Sequence, residues 1–219
     1  MRACCKGGTL PKMFITFEGP EGAGKSTALA SLAARLREAG SEVLTTREPG
    51  AGAFGKSIRE ILLHGDDIDP KAELLLFLAD RANHVATIIR PALDRGQIVL
   101  CDRYADSTLV YQAFARGLDE TFARTGNLFA TGGLMPDLTL LFDLKPELGL
   151  ARLGAKDRLD AQPIEFHRRV RQGFLNEAAS DKKRWRIIDA SGAPEGVLEN
   201  CWVIVEPLAL MWRQGQSGI

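Results

Sequence analysis

The chain has 219 residues, 45% of them hydrophobic, which is enough to bury one sizeable core. Its 28 Lys and Arg balance its 28 Asp and Glu, so no whole-chain field draws it to nucleic acid or to an anionic membrane surface. No apolar run approaches the roughly 20 residues of a membrane-spanning helix and the first residues lack the apolar middle of a secretory signal, so the expectation is a cytoplasmic protein.

Residues 1–12 show no hydrophobic period and are expected to be a disordered leader, followed by one domain over 13–213 and a tail at 214–219. Phe14-Ile15-Thr16-Phe17 is a β-favouring run that stops at Gly19, and an Ala/Leu-rich helical pattern follows from Ser26 to about Ala39. Further strands are expected at Val43–Thr46, Ile98–Cys101, Leu138–Asp143 and Arg186–Asp189, with a helical stretch from about Lys71 to Asp94. Strands alternating with helices predict an α/β fold, a parallel sheet of about five strands with helices on both faces. Ligands sit at the carboxyl ends of such strands, so the loops after Phe17, Thr46 and Cys101 should converge. Cys4, Cys5, Cys101 and Cys201 lack metal-finger spacing and are expected as free thiols, while His64, His84 and His167 show no metal or triad arrangement.

Gly19-Pro20-Glu21-Gly22-Ala23-Gly24-Lys25-Ser26 matches the phosphate-binding pattern G-x-x-x-x-G-K-[ST] between a strand and a helix, which makes the fold a P-loop NTPase-type sheet. Its glycines let backbone N–H groups turn toward phosphate oxygens, and the start of the helix, with Thr27 beside Ser26, adds positive potential. Lys25 reaches the β- and γ-phosphates of ATP, and Ser26 offers its hydroxyl to Mg²⁺. Asp102-Arg103-Tyr104 follows the third strand, which sets a carboxylate for metal or acceptor and a guanidinium for phosphate at the same sheet edge. Phe77 and Arg81 are four apart and share a helix face, an aromatic plate beside a cation that suits a nucleobase; the spacing alone equally allows a core Phe and a surface Arg. A short basic segment at about 151–160, with Arg152, Lys156 and Arg158, is expected to be a lid that brings charge to the γ-phosphate, and Arg168, Arg169 and Arg171 extend it, some of them on a solvent face.

The ordered set Phe17-Glu18-Gly19-Pro20-Glu21-Gly22-Ala23-Gly24-Lys25-Ser26, Thr46-Arg47-Glu48-Pro49-Gly50, Cys101-Asp102-Arg103-Tyr104 with Ser107 to Gln112, and Gly132 to Leu140 resembles bacterial thymidylate kinase over nearly the whole chain. The resemblance implies transfer of the γ-phosphoryl of MgATP to dTMP by an enzyme that works as a homodimer. It implies that Phe77 stacks on thymine, that Arg81 and Gln112 read its edge, and that Arg59 and Arg103 hold the dTMP phosphate. Glu21, Glu48, Tyr104, Ser107 and Thr108 would line the acceptor site, with a Tyr near the sugar disfavouring a 2′-hydroxyl, and Asp102 would arrange metal and acceptor. The P-loop carries no Arg, so the catalytic cation would come from the lid, with Arg152 and Arg158 the candidates and Lys156 third. Two departures stand out: Ala51-Gly52 replaces the family's Gly-Thr, and the lid is shorter. The rival readings are a nucleotide-driven switch or motor, since a P-loop serves those too, and a kinase for another small acceptor.

Overall fold

In a computed structural model that describes residues 12–154 and 157–217, the strands are β1 (Met13–Glu18), β2 (Val43–Arg47), β3 (Ile98–Asp102), β4 (Leu138–Asp143) and β5 (Trp185–Asp189). They form one all-parallel sheet in the order β2-β3-β1-β4-β5. Among the described residues the helices are α1 (Lys25–Glu38), α2 (Gly52–His64), α3 (Pro70–His84), α4 (Arg90–Asp94), α5 (Ala105–Thr108), α6 (Glu120–Thr131), α7 (Pro146–Ala151), α8 (Ile164–Ser180) and α9 (Pro194–Ser217). The expected leader, apart from Lys12, lies outside the described residues, as do Cys4, Cys5 and Lys156.

β1 is buried along its whole length because it is central and covered on both faces, whereas the edge strands β2 and β5 are partly exposed. Successive side chains leave a strand on opposite faces, so Ile15 and Phe17 pack with Leu32 and Leu36 of α1 and Cys201 and Val205 of α9. Phe14 packs on the other face with Val99, Cys101 and Tyr104 under Ile89 and Leu93. Cys101 and Cys201 are buried free thiols.

The helical stretch expected over Lys71–Asp94 is α3 and α4 joined by one π-helical turn, Val85–Ile89. Pro91 has no N–H to give and crowds the carbonyl one turn back, and the wider turn, closed by Arg90 N–H to Val85 O, admits it without ending the helix. The expected tail at 214–219 begins as helix instead: α9 runs through Ser217, past Arg213, whose guanidinium donates to Ala39 O at the end of α1.

Register builds the site. Phe17 of β1 pairs with Asp102 of β3, and Asp102 with Arg47 of β2, so the three expected loops leave the sheet side by side. Between β1 and its two neighbours β3 and β4 the chain order reverses, the place where an open α/β sheet forms its crevice.

Candidate active site

The loop between β1 and α1 is shaped by glycines in the left-handed region, φ 66° at Gly22 and 84° at Gly24. A Cβ on Gly22 would lie 2.0 Å from Gly149 O, so the loop packs main chain to main chain against α7. Lys25, only 7% exposed, donates Nζ to the carbonyls of Gly19 (3.0 Å) and Pro20 (2.7 Å). Burial, with Arg103 close by, lowers its pKa to about 8. Ser26 donates its hydroxyl to Asp102 Oδ2 at 2.5 Å, so the first turn of α1 and the end of β3 present two oxygens at one point.

A cavity of about 290 Å³ opens beside this point, lined by Glu21, Lys25, Ser26, Glu48, Arg59, Phe77, Arg81, Asp102, Arg103, Tyr104, Thr108 and Gln112 among others. The expected acceptor residues are therefore brought together. At its far end Phe77 is half-buried against Ile58, Leu62, Leu63 and Leu159. Arg81, 1% exposed, donates to Glu48 Oε2 (2.8 Å), Thr108 Oγ1 (2.8 Å), Asn127 Oδ1 (2.6 Å) and Tyr104 O (3.0 Å), which leaves one Nη2 N–H uncommitted among the described residues. Gln112 gives its side-chain amide N–H to Glu73 Oε1 (2.9 Å), and its side-chain carbonyl is uncommitted among the described residues. Arg59 and Arg103 line the same cavity as Lys25; Arg59 donates to Pro49 O at 2.9 Å, and a Cβ on Gly50 would press within 2.8 Å of Arg59 Cδ. Arg103 holds φ at 66°, a conformation non-glycine residues rarely adopt, where it aims its guanidinium into the cavity.

A second cavity, about 640 Å³, lies across the loop and is lined by Gly22, Gly24, Thr27, Ser31, Arg152, Ala190, Gly192, Pro194 and Leu198 among others. Arg152 belongs here: it donates to Gly22 O (3.4 Å) and Ala190 O (3.3 Å), on the side of the loop away from the acceptor cavity. Arg158 turns elsewhere again, to Glu73 Oε2 (2.5 Å) and Leu62 O (3.0 Å), so Glu73 gathers Gln112, Arg116 and Arg158 behind the base end. Of the two expected lid arginines, Arg152 thus touches the P-loop at Gly22 from the second-cavity side and Arg158 is turned to Glu73. The first cavity is itself lined by the cations Lys25, Arg47, Arg59, Arg81 and Arg103. Arg168 pairs with Glu147 and Glu165 at the surface, and Arg171 with Asp143.

Sequence reasoning passed over several residues of this site. Arg47 carries no expected role, yet as the last residue of β2 it lines the cavity beside Asp102. Tyr104 lines the cavity as expected, with its hydroxyl turned inward to Leu134 O (3.2 Å), and Tyr111, in the π turn that follows α5, carries the hydroxyl that reaches Glu21. Glu18 is fully buried and accepts from Tyr104 N–H (2.8 Å) and Ser107 Oγ (2.6 Å); burial, then Asp106, raise its pKa to about 8. Burial also pushes Glu21 up, but the bond from His167, the charges of Arg103 and Lys25 and the Tyr111 hydroxyl outweigh it and hold Glu21 at about 2.

A phosphate-gripping loop at the centre of a parallel sheet, with a cavity on either side of it, is the arrangement of a P-loop phosphotransferase. The sequence model of the family described as thymidylate kinase matches residues 17–200, and the chain belongs to that family. It is 56% identical over 195 residues to a thymidylate kinase of Synechococcus sp. (strain JA-2-3B'a(2-13)), covering 89% of this chain and 95% of that one. It is also 56% identical over 196 residues to a thymidylate kinase of Thermomicrobium roseum, covering 88% and 93%. The crystal structure of thymidylate kinase from Ehrlichia chaffeensis superposes with a TM-score of 0.76 at 32% identity, covering 89% of this chain and 98% of that chain.

Proposed function

We propose that the chain transfers the γ-phosphoryl group of ATP, with Mg²⁺, to the 5′-phosphate of dTMP, giving dTDP and ADP. The observation that carries this reading is the pair of cavities meeting across one phosphate-binding loop, with Phe77, Arg81 and Gln112 at the far end of one of them. An acceptor phosphate oxygen bonds to the γ-phosphorus as the bond to the β,γ-bridging oxygen breaks, so the protein's task is positioning and charge neutralisation.

The donor's phosphates lie on the loop N–H groups, Lys25 turns from the Gly19 and Pro20 carbonyls to their oxygens, and the adenine occupies the second cavity beside Arg152. Hard oxygen donors suit Mg²⁺, and the Ser26 hydroxyl and Asp102 carboxylate already meet; bound there, the ion neutralises charge on the β- and γ-phosphates. Arg59 and Arg103 grip the acceptor phosphate, with Arg47 adding positive charge. Phe77 stacks on the base, the remaining Arg81 N–H donates to O4 and the Gln112 carbonyl accepts from N3–H. Cytosine reverses both of those groups, a donor facing a donor and an acceptor facing an acceptor.

No helix among the described residues is long and apolar enough to cross a membrane, in keeping with a cytoplasmic site of action. Phe122 and Phe129, seven apart on α6, are 52% and 89% exposed and offer a second copy of the chain an apolar surface, which supports the homodimer that the family resemblance implies. The function is tested by ADP release from MgATP with and without dTMP: release that depends on dTMP supports it, and release indifferent to any acceptor overturns it.

A further inference from the structure

His167 lies on α8 yet reaches the P-loop from behind. It is 1% exposed, its Nδ1 donates to Glu21 Oε2 at 3.3 Å, and its buried Nε2 makes no well-formed hydrogen bond among the described residues, with the Asp160 backbone beside the ring. The other oxygen of the same carboxylate, Oε1, accepts from Arg103 Nη2 (3.2 Å) and from the Tyr111 hydroxyl. Arg103 meanwhile stacks over the Tyr111 ring, 5.0 Å from its centre, and donates Nη1 to Ser107 Oγ (3.3 Å). Glu21 is therefore shared between a cation that faces the acceptor and a histidine that does not.

A carboxylate beside a guanidinium prefers two parallel hydrogen bonds to it. Two such bonds would draw Arg103 onto Glu21 and spend the donors the acceptor phosphate needs. The single 3.2 Å contact leaves Arg103 with N–H groups that neither Glu21 nor Ser107 takes. We propose that His167 is a positioning residue for phosphoryl transfer: by holding Glu21 Oε2 from the far side, it keeps the carboxylate from closing on Arg103 and leaves that guanidinium for the acceptor's phosphate. The inference rests on the acceptor assignment above.

Charge works in the same direction. The groups facing His167 are Glu21 from the P-loop and Asp160 from the segment before α8, with Arg103, Lys25 and Tyr111 beyond Glu21; on its own helix Arg168 and Arg171 are committed to Glu147, Glu165 and Asp143. Burial disfavours the imidazolium, but Glu21 and Asp160 outweigh it and the pKa is raised above 6.5. Below that raised value the imidazolium balances Glu21 and Arg103 keeps its full charge toward the acceptor; above it Glu21 draws on Arg103 alone.

The test is steady-state kinetics at saturating MgATP, where bound phosphates engage Lys25, across pH 6 to about 9.5 for the natural chain, H167F and H167N. Phe fills the space with no donor, while the Asn amide donates but does not titrate. The expected results are a dTMP KM about 10-fold higher in H167F with the ATP KM within about twofold, recovery of part of that loss in H167N, and an alkaline fall in kcat/KM for dTMP that is deeper in the natural chain than in H167N, where only the Glu18 titration near 8 remains. Equal rises in both KM values, an unchanged dTMP KM in H167F, or an alkaline limb as deep in H167N as in the natural chain would each overturn the proposal. H167N carries the test if H167F does not fold. Absence of dTMP turnover in the natural chain would instead sink the acceptor assignment, and this inference with it.

Discussion

Ser26 and Asp102, 76 residues apart in sequence, share a 2.5 Å hydrogen bond where the first turn of α1 meets the end of β3. The contact follows from register, since β1 feeds the loop ahead of Ser26 and pairs Phe17 with Asp102. Asp102→Asn keeps the shape and removes the charge, so kcat should fall by about 10²–10³ while the midpoint of thermal unfolding stays within a few degrees. Lys25→Ala should be at least as damaging, and near-normal turnover in it would contradict the P-loop assignment.

Arg81 is expected to control the acceptor and not the donor. Arg81→Lys retains a charge but not the fork that serves Glu48, Thr108, Asn127 and Tyr104 at once. Its dTMP KM should rise by about 10- to 100-fold with the ATP KM little changed, and equal effects on both would place Arg81 outside the base pocket.

Arg152 should show the reverse preference. It lines the cavity that holds Thr27 and Gly192, on the far side of the P-loop from Arg103. Arg152→Ala is expected to raise the ATP KM by about 3- to 10-fold and spare the dTMP KM; a loss confined to kcat would instead support the lid-cation role that the sequence suggested.

How much of this was legible beforehand differs from residue to residue. The five strands announce themselves as short apolar runs, and the P-loop by fixed spacing between one of those runs and a helix. Phe77 and Arg81 share a helix face by simple periodicity, although nothing local shows that the face lines a cavity. The lid was less readable, because a string of Arg and Lys in a loop carries no tertiary direction: Arg152 and Arg158 sit six apart and end on different walls. The π turns at Val85–Ile89 and Leu109–Ala115 break the 3.6-residue period that a sequence pattern assumes, so the direction of the Tyr111 side chain was hidden. His167 meets Glu21 across 146 residues, a contact that only the packing of α8 under the P-loop creates.

Glu18 gives the fold a measurable pH dependence. Its carboxyl is raised to about 8 by burial and by Asp106, whereas in the unfolded chain it titrates near 4.5. The folded state therefore holds a proton that the unfolded state releases, and stability declines as pH rises from about 5 to 8. Glu18→Gln removes that proton linkage while keeping an acceptor for Tyr104 N–H. Thermal unfolding should show the variant more stable than the natural chain by about 1–2 kcal/mol at pH 8 and no more stable at pH 5. A pH-independent difference would show that Glu18 is ionised in the folded protein.

The central claim is that the cavity at the carboxyl ends of β2 and β3 reads the thymine edge of a nucleoside monophosphate. The measurement that tests it most directly is kcat/KM at saturating MgATP for dTMP, dUMP, dCMP and the ribonucleotides UMP and CMP. The account predicts dTMP favoured over dCMP by about 10²-fold or more, because the Arg81 N–H and the Gln112 carbonyl then face like groups, with dUMP closer to dTMP. Equal efficiency with dTMP and dCMP, or a preference for dCMP, would contradict it.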